Sequence, residues 1–197
     1  MIIGIDEVGR GPLAGPVTVA AVAAKYPVLS IRYQVFFRNI RDSKKLTPKK
    51  RDEWFKKLTV NPRILIAHSS VSHKIIDRIG ITKAVSRAVK NCLRILNTKY
   101  LILDTHHKVL LDGSLHAPAE YKDQQTIIKG DEKIPIISAA SIIAKVIRDR
   151  KMVRLAKEYP EYAFEIHKGY GTKFHRAAIR KYGICDIHRR SFCAKFL

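Results

Sequence analysis

The sequence has few cysteines, few acidic side chains and no long apolar run. Its 197 residues include three cysteines, Cys92, Cys185 and Cys193, and their odd number argues against a disulfide framework. One zinc alternative, Cys185, His188 and Cys193 with His175, matches none of the usual ligand spacings. No apolar run approaches the ~18 residues that span a bilayer, and no signal-peptide pattern begins the chain. We therefore expect a cytoplasmic protein with reduced thiols.

Acidic residues are heavily outnumbered: 17 Asp and Glu stand against 38 Lys and Arg, giving a formal net charge of +21. The basic residues gather in three segments, KKLTPKKR (44–51), HKGYGTKFHR (167–176) and HRR (188–190). Such an excess attracts polyanions and steers their association. A membrane surface is the weaker alternative, because no amphipathic helix pairs a basic face with a Trp/Phe face. The charge predicts a nucleic-acid partner.

Hydrophobic periodicity predicts an α/β protein with one mixed sheet covered by helices. Residues 2–5, 17–23 and 31–37 are predicted to form an antiparallel meander of three strands. Thr47-Pro48 indicates a helix start, with Thr as N-cap and Pro in the first turn. With no repeat or evident linker, residues 1–197 are expected to form one domain. The remaining predicted strands are 64–67, 109–111 and 126–128, and the remaining helices are 81–92, 136–157 and 172–183.

Four acidic residues lie at or just past the ends of short apolar strands: Asp6, Glu7, Asp112 and Asp131. Functional sites assemble at strand ends, and carboxylates without a Lys or Arg inside their motif suit a hard ion such as Mg²⁺. Since successive strand side chains point to opposite faces, we expect the chain to leave regular pairing at Glu7, with Gly9 giving the flexibility. Each acid alone is unremarkable, but their joint placement predicts a metal site.

Asp104 is a rival to Asp112, because it also ends an apolar run, residues 101–103. The Leu-Asp-Gly context of Asp112 and its spacing to the KGD segment (129–131) favour Asp112. The adjacent His106 and His107 are interpreted as solvated loop residues.

Six segments together resemble the bacterial-type ribonuclease HII family, in the right order and over nearly the whole chain. The opening motif and the KGD…SAASIIAKV…RD block are the most specific of them. The resemblance implies an RNase H-like fold, a central mixed sheet with flanking helices and a C-terminal helical extension from about residue 160. The segments are GIDEVGRGPLAGPV (4–17), DSKKLTPKKR (42–51), VLLDGSL (109–115), IIKGDEKIPIISAASIIAKVIRDR (127–150), YPEYAFEIHKGYGTKFH (159–175) and HRRSF (188–192).

This resemblance implies endonucleolytic cleavage of RNA in RNA/DNA hybrids, and cutting on the 5′ side of ribonucleotides embedded in duplex DNA. The products would carry a 5′-phosphate and a 3′-hydroxyl. The matching carboxylates are Asp6, Glu7, Asp112 and Asp131, which would hold two Mg²⁺ or Mn²⁺ ions.

Further positions match substrate contacts of the family. Gly9, Arg10 and Gly11 match a segment whose backbone meets the ribose 2′-hydroxyl, the group that distinguishes RNA from DNA. Tyr170 matches a tyrosine that packs against the nucleotide at the RNA–DNA junction. Ser43, Lys44, Lys45 and Lys145 match phosphate contacts, although Lys145 could instead pair with Asp149 at i+4.

Two other functions compete with a hybrid nuclease. A non-catalytic basic nucleic-acid-binding module gains nothing from acids at its phosphate surface. A junction resolvase would share the carboxylates but not GRG (9–11) and KGYGT (168–172). The sequence shows no extra N-terminal domain, which favours ribonuclease HII over HIII. We expect a monomer; a contact with a sliding clamp, the choice between Mg²⁺ and Mn²⁺ and the preferred substrate stay open.

Overall fold

Five strands form one mixed sheet in the order β3-β2-β1-β4-β5 in a computed structural model that describes residues 1–25, 30–40, 43–100 and 107–196. Strand β2 runs antiparallel to both β1 and β3, whereas β4 runs parallel to both β1 and β5. The predicted mixed sheet is therefore confirmed. The strands are β1 Ile2–Val8, β2 Val17–Ala24, β3 Ile64–Val71, β4 Lys108–Asp112 and β5 Gln124–Ile127.

Helices cover both faces of the sheet, which is why all eight residues of β2 are buried. Ile3, Ile5 and Val19 pack in one core cluster with the long helix α4. Ala20 and Val22 pack on the opposite face against the long helix α6. The helices are α1 Ile31–Phe36, α2 Pro48–Val60, α3 His73–Ile79, α4 Ile81–Tyr100, α5 Gly130–Lys133, α6 Pro135–Glu158, α7 Phe164–His167, α8 Lys173–Tyr182 and α9 Arg190–Cys193.

Local signals in the sequence place several of these helices correctly. The hydroxyl of Thr47 accepts a hydrogen bond from the Lys50 amide, and Pro48 begins α2. The hydroxyl of Thr172 caps α8 in the same way, and Gly183 ends that helix with φ +77°. Helices α2, α4, α6 and α8 were all predicted.

Helix α6 crosses β1 unusually closely at Gly4. A Cβ atom added to Gly4 would collide with the carbonyl group of Ile136. Buried Ala139 and Ala140 continue this small-residue surface along the helix. The close approach fixes the first turns of α6 beside the carboxyl end of β1, where the candidate site lies.

The prediction of a third meander strand over residues 31–37 is wrong. Residues Ile31–Phe36 form helix α1, with Ser30 as N-cap. The alternation of apolar residues suggested a strand, but Ile31 and Val35 are exposed, whereas Tyr33 and Phe37, four residues apart, are buried. Strand β2 already has β1 on one edge and β3 on the other, so the sheet offers this segment no pairing position there.

The C-terminal segment packs on the second half of α6 and on the turn after β1. Its core is a separate cluster that joins Met152 of α6 with Leu13, Tyr162, Phe164 and Ile179. Short 3₁₀ turns at Pro160–Tyr162 and Ala194–Phe196 accompany α7, α8 and α9. Within the described residues, no helix is both long and apolar enough to cross a bilayer.

Candidate active site

Three aspartates converge at the carboxyl ends of β1 and β4. Asp6 lies in β1, and Asp112 ends the parallel neighbour β4, whose Leu111 pairs with Ile5. Asp131 lies in the first turn of α5. One carboxylate oxygen from each of Asp6, Asp112 and Asp131 lies within 4.8 Å of the other two. Parallel strands bring residues far apart in sequence to the same sheet edge, as expected from the positions of these acids.

Backbone geometry holds Asp131 against Asp112. Lys129 adopts a left-handed conformation with φ 54°, which turns the chain from β5 into α5. The amides of Gly130 and Asp131 then donate to Asp112 Oδ1 at 2.6 and 3.3 Å. The hydroxyl of Ser138 donates to the Asp131 carbonyl at 2.6 Å. Asp131 thus lies just past β5, which ends at Ile127, in the first turn of α5.

Burial and the nearby negative charges disfavour the charged forms of Asp6 and Glu7. Asp6 is 4% exposed, and its burial, followed by the negative charge of Glu7, raises its pKa well above the usual value. Burial also raises the pKa of Glu7, against the opposing effect of Arg10. A divalent cation bound between the carboxylates would relieve both effects.

Glu7 lies beside the three aspartates, on the other face of β1. The expectation that the chain leaves regular pairing at Glu7 is wrong, because β1 continues to Val8 and Glu7 pairs with Val19. Its Oε1 atom accepts from Arg10 Nη1 at 3.3 Å. Its Oε2 atom is buried and has no hydrogen-bond partner among the described residues. An orphaned carboxylate oxygen at this edge fits a site for hard cations.

The basic segment after position 42 reaches the acid cluster through its lysines. Lys44 Nζ lies 3.1 Å from Asp131 Oδ2, and Lys45 Nζ lies 2.6 Å from Glu132 Oε2. Neither contact was predicted, since both lysines were assigned to phosphates.

The other two residues assigned to phosphates also have partners within the protein. The hydroxyl of Ser43 is buried and lies 2.8 Å from that of Ser141. Ser141 in turn favours the charged form of Asp6 and so opposes the rise of its pKa. Lys145 Nζ lies 3.0 Å from Asp149 Oδ1, the i+4 pairing that the sequence left as an alternative.

Two buried arginines that sequence reasoning missed hold the turn after β1. The guanidinium group of Arg189 donates to three carbonyl oxygens of this turn, and that of Arg148 donates to two. Both side chains are 0% exposed. Burial, followed by the charge of Arg148, lowers the pKa of Arg189 to about 9, so it stays protonated at neutral pH. Both arginines lie in basic runs, where nothing local separates a buried arginine from a solvated one.

Tyr170 stands at the surface beside this turn. Its side chain is 39% exposed, and its ring centroid lies 5.7 Å from Cζ of Arg148. Gly9, with φ +90°, packs so closely on the Arg148 side chain that a Cβ atom would collide with it. Around Gly11, by contrast, a Cβ atom would meet no described atom within 4 Å. The turn therefore has a packed inner side and an open outer side.

The four residues of the zinc alternative do not converge on one point. Nε2 of His175 lies 3.0 Å from Nε2 of His188, whereas Cys185 Sγ lies 3.1 Å from the other nitrogen, Nδ1, of His188. Cys193 Sγ instead donates to the Leu13 carbonyl. Burial lowers the pKa values of His175 and His188 to about 4, so both rings are neutral at pH 7. Asp104, the rival to Asp112, lies outside the described residues.

Comparison with known proteins defines the class of this protein. A solved ribonuclease H2 from Pyrococcus horikoshii OT3 superposes with a TM-score of 0.72 at 26% identity, covering 99% of this chain and 96% of that one. The structure of the PCNA:RNase HII complex from Archaeoglobus fulgidus contains a chain that matches with a TM-score of 0.72 at 25% identity, covering 98% and 94%. The fold is that of ribonucleases H of this type.

Sequence comparison identifies the family. The family model of Ribonuclease HII matches residues 3–195. A ribonuclease HII from Coxiella burnetii is 43% identical over 193 residues, which is 98% of this chain and 88% of that protein. This chain belongs to the ribonuclease HII family and is an endoribonuclease H.

Proposed function

We propose that this enzyme cleaves the RNA strand of RNA/DNA hybrids and cuts on the 5′ side of ribonucleotides embedded in duplex DNA. The proposal is supported above all by the convergence of three aspartate oxygens within 4.8 Å of one another, at the end of strand β1, which leads into the turn formed by residues 9–16. The family membership supports the reaction class, and the net charge of +21 suits a polyanionic substrate.

The residues of the acid cluster fit divalent metal ions. Asp6, Asp112 and Asp131, with Glu7 at their edge, would hold two Mg²⁺ or Mn²⁺ ions, which supply an activated water for attack on phosphorus and stabilise the departing 3′-oxygen. The raised pKa of Asp6 and the orphaned oxygen of Glu7 support this assignment. Hydrolysis of the bond between phosphorus and the 3′-oxygen leaves a 5′-phosphate and a 3′-hydroxyl.

Other residues of the chain place the substrate against this cluster. The backbone of Gly9, Arg10 and Gly11 contacts the ribose 2′-hydroxyl from the open side of the turn. Tyr170 packs against the nucleotide at the RNA–DNA junction. Lys44 and Lys45 approach the backbone phosphates, and Lys44 is shared between Asp131 and a phosphate.

Ser43 and Lys145, the other two residues assigned to phosphate contacts, have less direct roles. The buried hydroxyl of Ser43 acts mainly by supporting Ser141 and, through it, the carboxylate of Asp6. Lys145 can contact a phosphate only from its position beside Asp149.

Cleavage of a defined duplex tests the proposal. With Mg²⁺ present, a DNA duplex carrying one ribonucleotide should be cut on the 5′ side of that ribonucleotide, whereas the same duplex in all-DNA form should stay intact. Equal cutting of both duplexes would contradict the proposed specificity.

The Archaeoglobus fulgidus relative was solved in a complex with PCNA, which favours the clamp contact that the sequence left open. Gel filtration of the protein, alone and mixed with the clamp of its own organism, tests that contact and the expected monomer.

A further inference from the structure

The turn between β1 and β2 is held from inside by a three-way fork of hydrogen bonds. Arg189 donates from Nη2 to the Gly9 carbonyl at 2.6 Å, from Nη1 to the Arg10 carbonyl at 2.8 Å and from Nε to the Gly15 carbonyl at 3.0 Å. The donor lies about 180 residues further along the chain. One side chain thus joins both ends of the turn to the C-terminal segment.

Arg148 fastens the same turn to the loop of Tyr170. It donates to the carbonyls of Pro16 and Ala14 at 2.9 and 3.3 Å, and to the carbonyl of Lys168 at 3.0 Å. Its guanidinium group lies under the Tyr170 ring. The turn and the tyrosine therefore share one rigid support.

Neither guanidinium group is neutralised by a carboxylate among the described residues, where no ion pair involves Arg148 or Arg189. Burying a charge without an opposite charge is unfavourable, and an apolar side chain would fill the same space at less cost. What the arginine offers instead is a planar fork of donors in fixed directions. We conclude that the two arginines orient the carbonyl groups of the turn, and that filling space in the core is the lesser part of their role.

The direction of these carbonyls sets the direction of the neighbouring amides. In a trans peptide the C=O and the N–H bonds point to opposite sides. Because the Gly9 and Arg10 carbonyls point inward to Arg189, the amides of Arg10 and Gly11 point away from it. Neither amide donates a hydrogen bond to any described residue. A Cβ atom at Gly11 would also meet no described atom within 4 Å.

We propose that Arg189 is a positioning residue for ribose recognition: by holding the Gly9 and Arg10 carbonyls inward, it presents the Arg10 and Gly11 amides as hydrogen-bond donors to the 2′-hydroxyl oxygen. This rests on the proposed function, which places the ribonucleotide at this turn. Arg189 touches neither the substrate nor the acid cluster, so its effect falls on recognition and leaves phosphate binding unchanged.

Substitution of Arg189 by Lys tests the role, because Lys keeps the positive charge and loses the fork. The matched control is Arg190→Lys, which changes an exposed neighbour. Two constants are measured with Mg²⁺: KM for the duplex with one ribonucleotide, and Ki of the all-DNA duplex as a competitive inhibitor. Arg189→Lys should raise KM roughly tenfold, the effect of a lost hydrogen bond, and leave Ki within about twofold. Arg190→Lys should leave KM unchanged.

The outcomes separate the two proposals. A wild-type enzyme that cuts the all-DNA duplex as well as the ribonucleotide duplex would overturn the proposed function. A selective wild-type enzyme whose KM is unaltered by Arg189→Lys would overturn the positioning role alone. An equal rise of KM and Ki would mean general damage to the nucleic-acid surface and would also overturn it.

A second measurement on the wild-type enzyme covers the case in which Arg189→Lys does not fold. The ¹⁵N–¹H resonances of Arg10 and Gly11 are recorded with each duplex, without divalent ion so that no cleavage occurs. Both resonances should shift with the ribonucleotide duplex and shift less with the all-DNA duplex. Identical shifts with the two duplexes would contradict the role.

Discussion

Nζ of Lys44 lies 3.1 Å from Oδ2 of Asp131, so a cationic side chain of the protein contacts the cluster that we assign to divalent metal ions. The lysine side chain is 75% exposed, whereas the aspartate side chain is 5% exposed. A flexible, exposed ammonium group can leave when a more strongly bound ion arrives. We therefore expect Lys44 to compete with metal in the free enzyme and to move toward a phosphate when metal and substrate bind.

This relationship predicts opposite effects of Lys44→Met on metal and on substrate. Mn²⁺ should bind the free variant about two- to fivefold more tightly, since removal of the exposed Lys44 ammonium group removes a competing charge, an effect of less than about 1 kcal/mol. KM for the hybrid should rise, because a phosphate contact is lost. Isothermal titration with Mn²⁺ and steady-state kinetics measure the two effects. Lys45→Met, which removes a partner of Glu132 instead, should leave Mn²⁺ affinity unchanged; weaker Mn²⁺ binding by Lys44→Met would contradict the competition.

The acid cluster itself is tested by replacing Asp131 with Asn. The variant should lose cleavage by at least a thousandfold, because a buried ligand for the ions loses its charge, while hybrid binding survives through the lysines. Glu132→Gln is the matched control, since the adjacent Glu132 is paired with Lys45 and lies outside the cluster. Cleavage rates at saturating Mg²⁺ and hybrid affinity by fluorescence anisotropy give the comparison. A wild-type rate for Asp131→Asn would remove Asp131 from the metal site.

Much of the fold was predictable because its signals are local. Thr47-Pro48 and Thr172 mark helix starts through their own side chains, and the apolar spacing of α4 follows from one helical face. The prediction of a strand over residues 31–37 failed because apolar alternation in a short run does not reveal whether the sheet has a free edge. That property belongs to the assembled sheet, in which β3 occupies the edge of β2.

The candidate site was predictable to the extent that it consists of charged residues at strand ends. Asp6 and Asp112 meet because β1 and β4 are parallel neighbours, and strand ends in the sequence indicate such an edge. The roles of Arg148 and Arg189 were not predictable, because a buried arginine that binds only carbonyls has no partner residue to signal it. The same holds for Ser43, whose hydroxyl turned inward to Ser141.

The paired histidines under Tyr170 predict acid lability. The Cys185 amide donates to Nδ1 of His188, so His188 carries its proton on Nε2 and donates to His175, whose Nδ1 proton goes to the Tyr170 carbonyl. Both pKa values are lowered to about 4, from 6.5, by burial first and then by the nearby charge of His167. A histidine whose pKa is lower in the folded than in the unfolded protein stabilises the fold at pH values above its unfolded pKa. This contribution is lost as the pH falls from about 6.5 to about 4.

Thermal unfolding across this pH range measures the effect. Between pH 6.5 and pH 4 the free energy of unfolding of the wild-type protein should fall by an amount on the order of 3 kcal/mol per histidine, and the melting temperature should fall with it. His188→Gln should be less stable at pH 7.5, yet show a shallower fall with pH. His116→Gln, at an exposed position, should reproduce the wild-type profile. A slope for His188→Gln as steep as that of the wild type would show that other groups dominate.

Tyr170→Ala should discriminate between substrates. The ring is partly exposed above Arg148 and lies where the proposed RNA–DNA junction would pass. A duplex with one ribonucleotide offers a single junction, whereas a long hybrid offers many ribonucleotides and more phosphate contacts. We expect kcat/KM to fall about ten- to a hundredfold on the single-ribonucleotide duplex, consistent with the loss of one aromatic stacking contact, and to fall less on the long hybrid. Tyr182→Ala, at an exposed tyrosine of α8, is the control; an equal loss on both substrates would indicate a structural role for Tyr170.

Gly9 and Gly11 occupy one short turn but should respond differently to Ala. Gly9 has φ +90°, and a methyl group there would collide with the Arg148 side chain, so Gly9→Ala should lower the free energy of unfolding by about 1–3 kcal/mol. A methyl group at Gly11 meets no described atom within 4 Å, so Gly11→Ala should keep wild-type stability within about 0.5 kcal/mol. That methyl group would instead face the proposed ribose site and should lower kcat/KM at least tenfold. Urea unfolding and cleavage of the single-ribonucleotide duplex separate the two effects, and a fully active Gly11→Ala enzyme would mean that the substrate does not approach the turn from its open side.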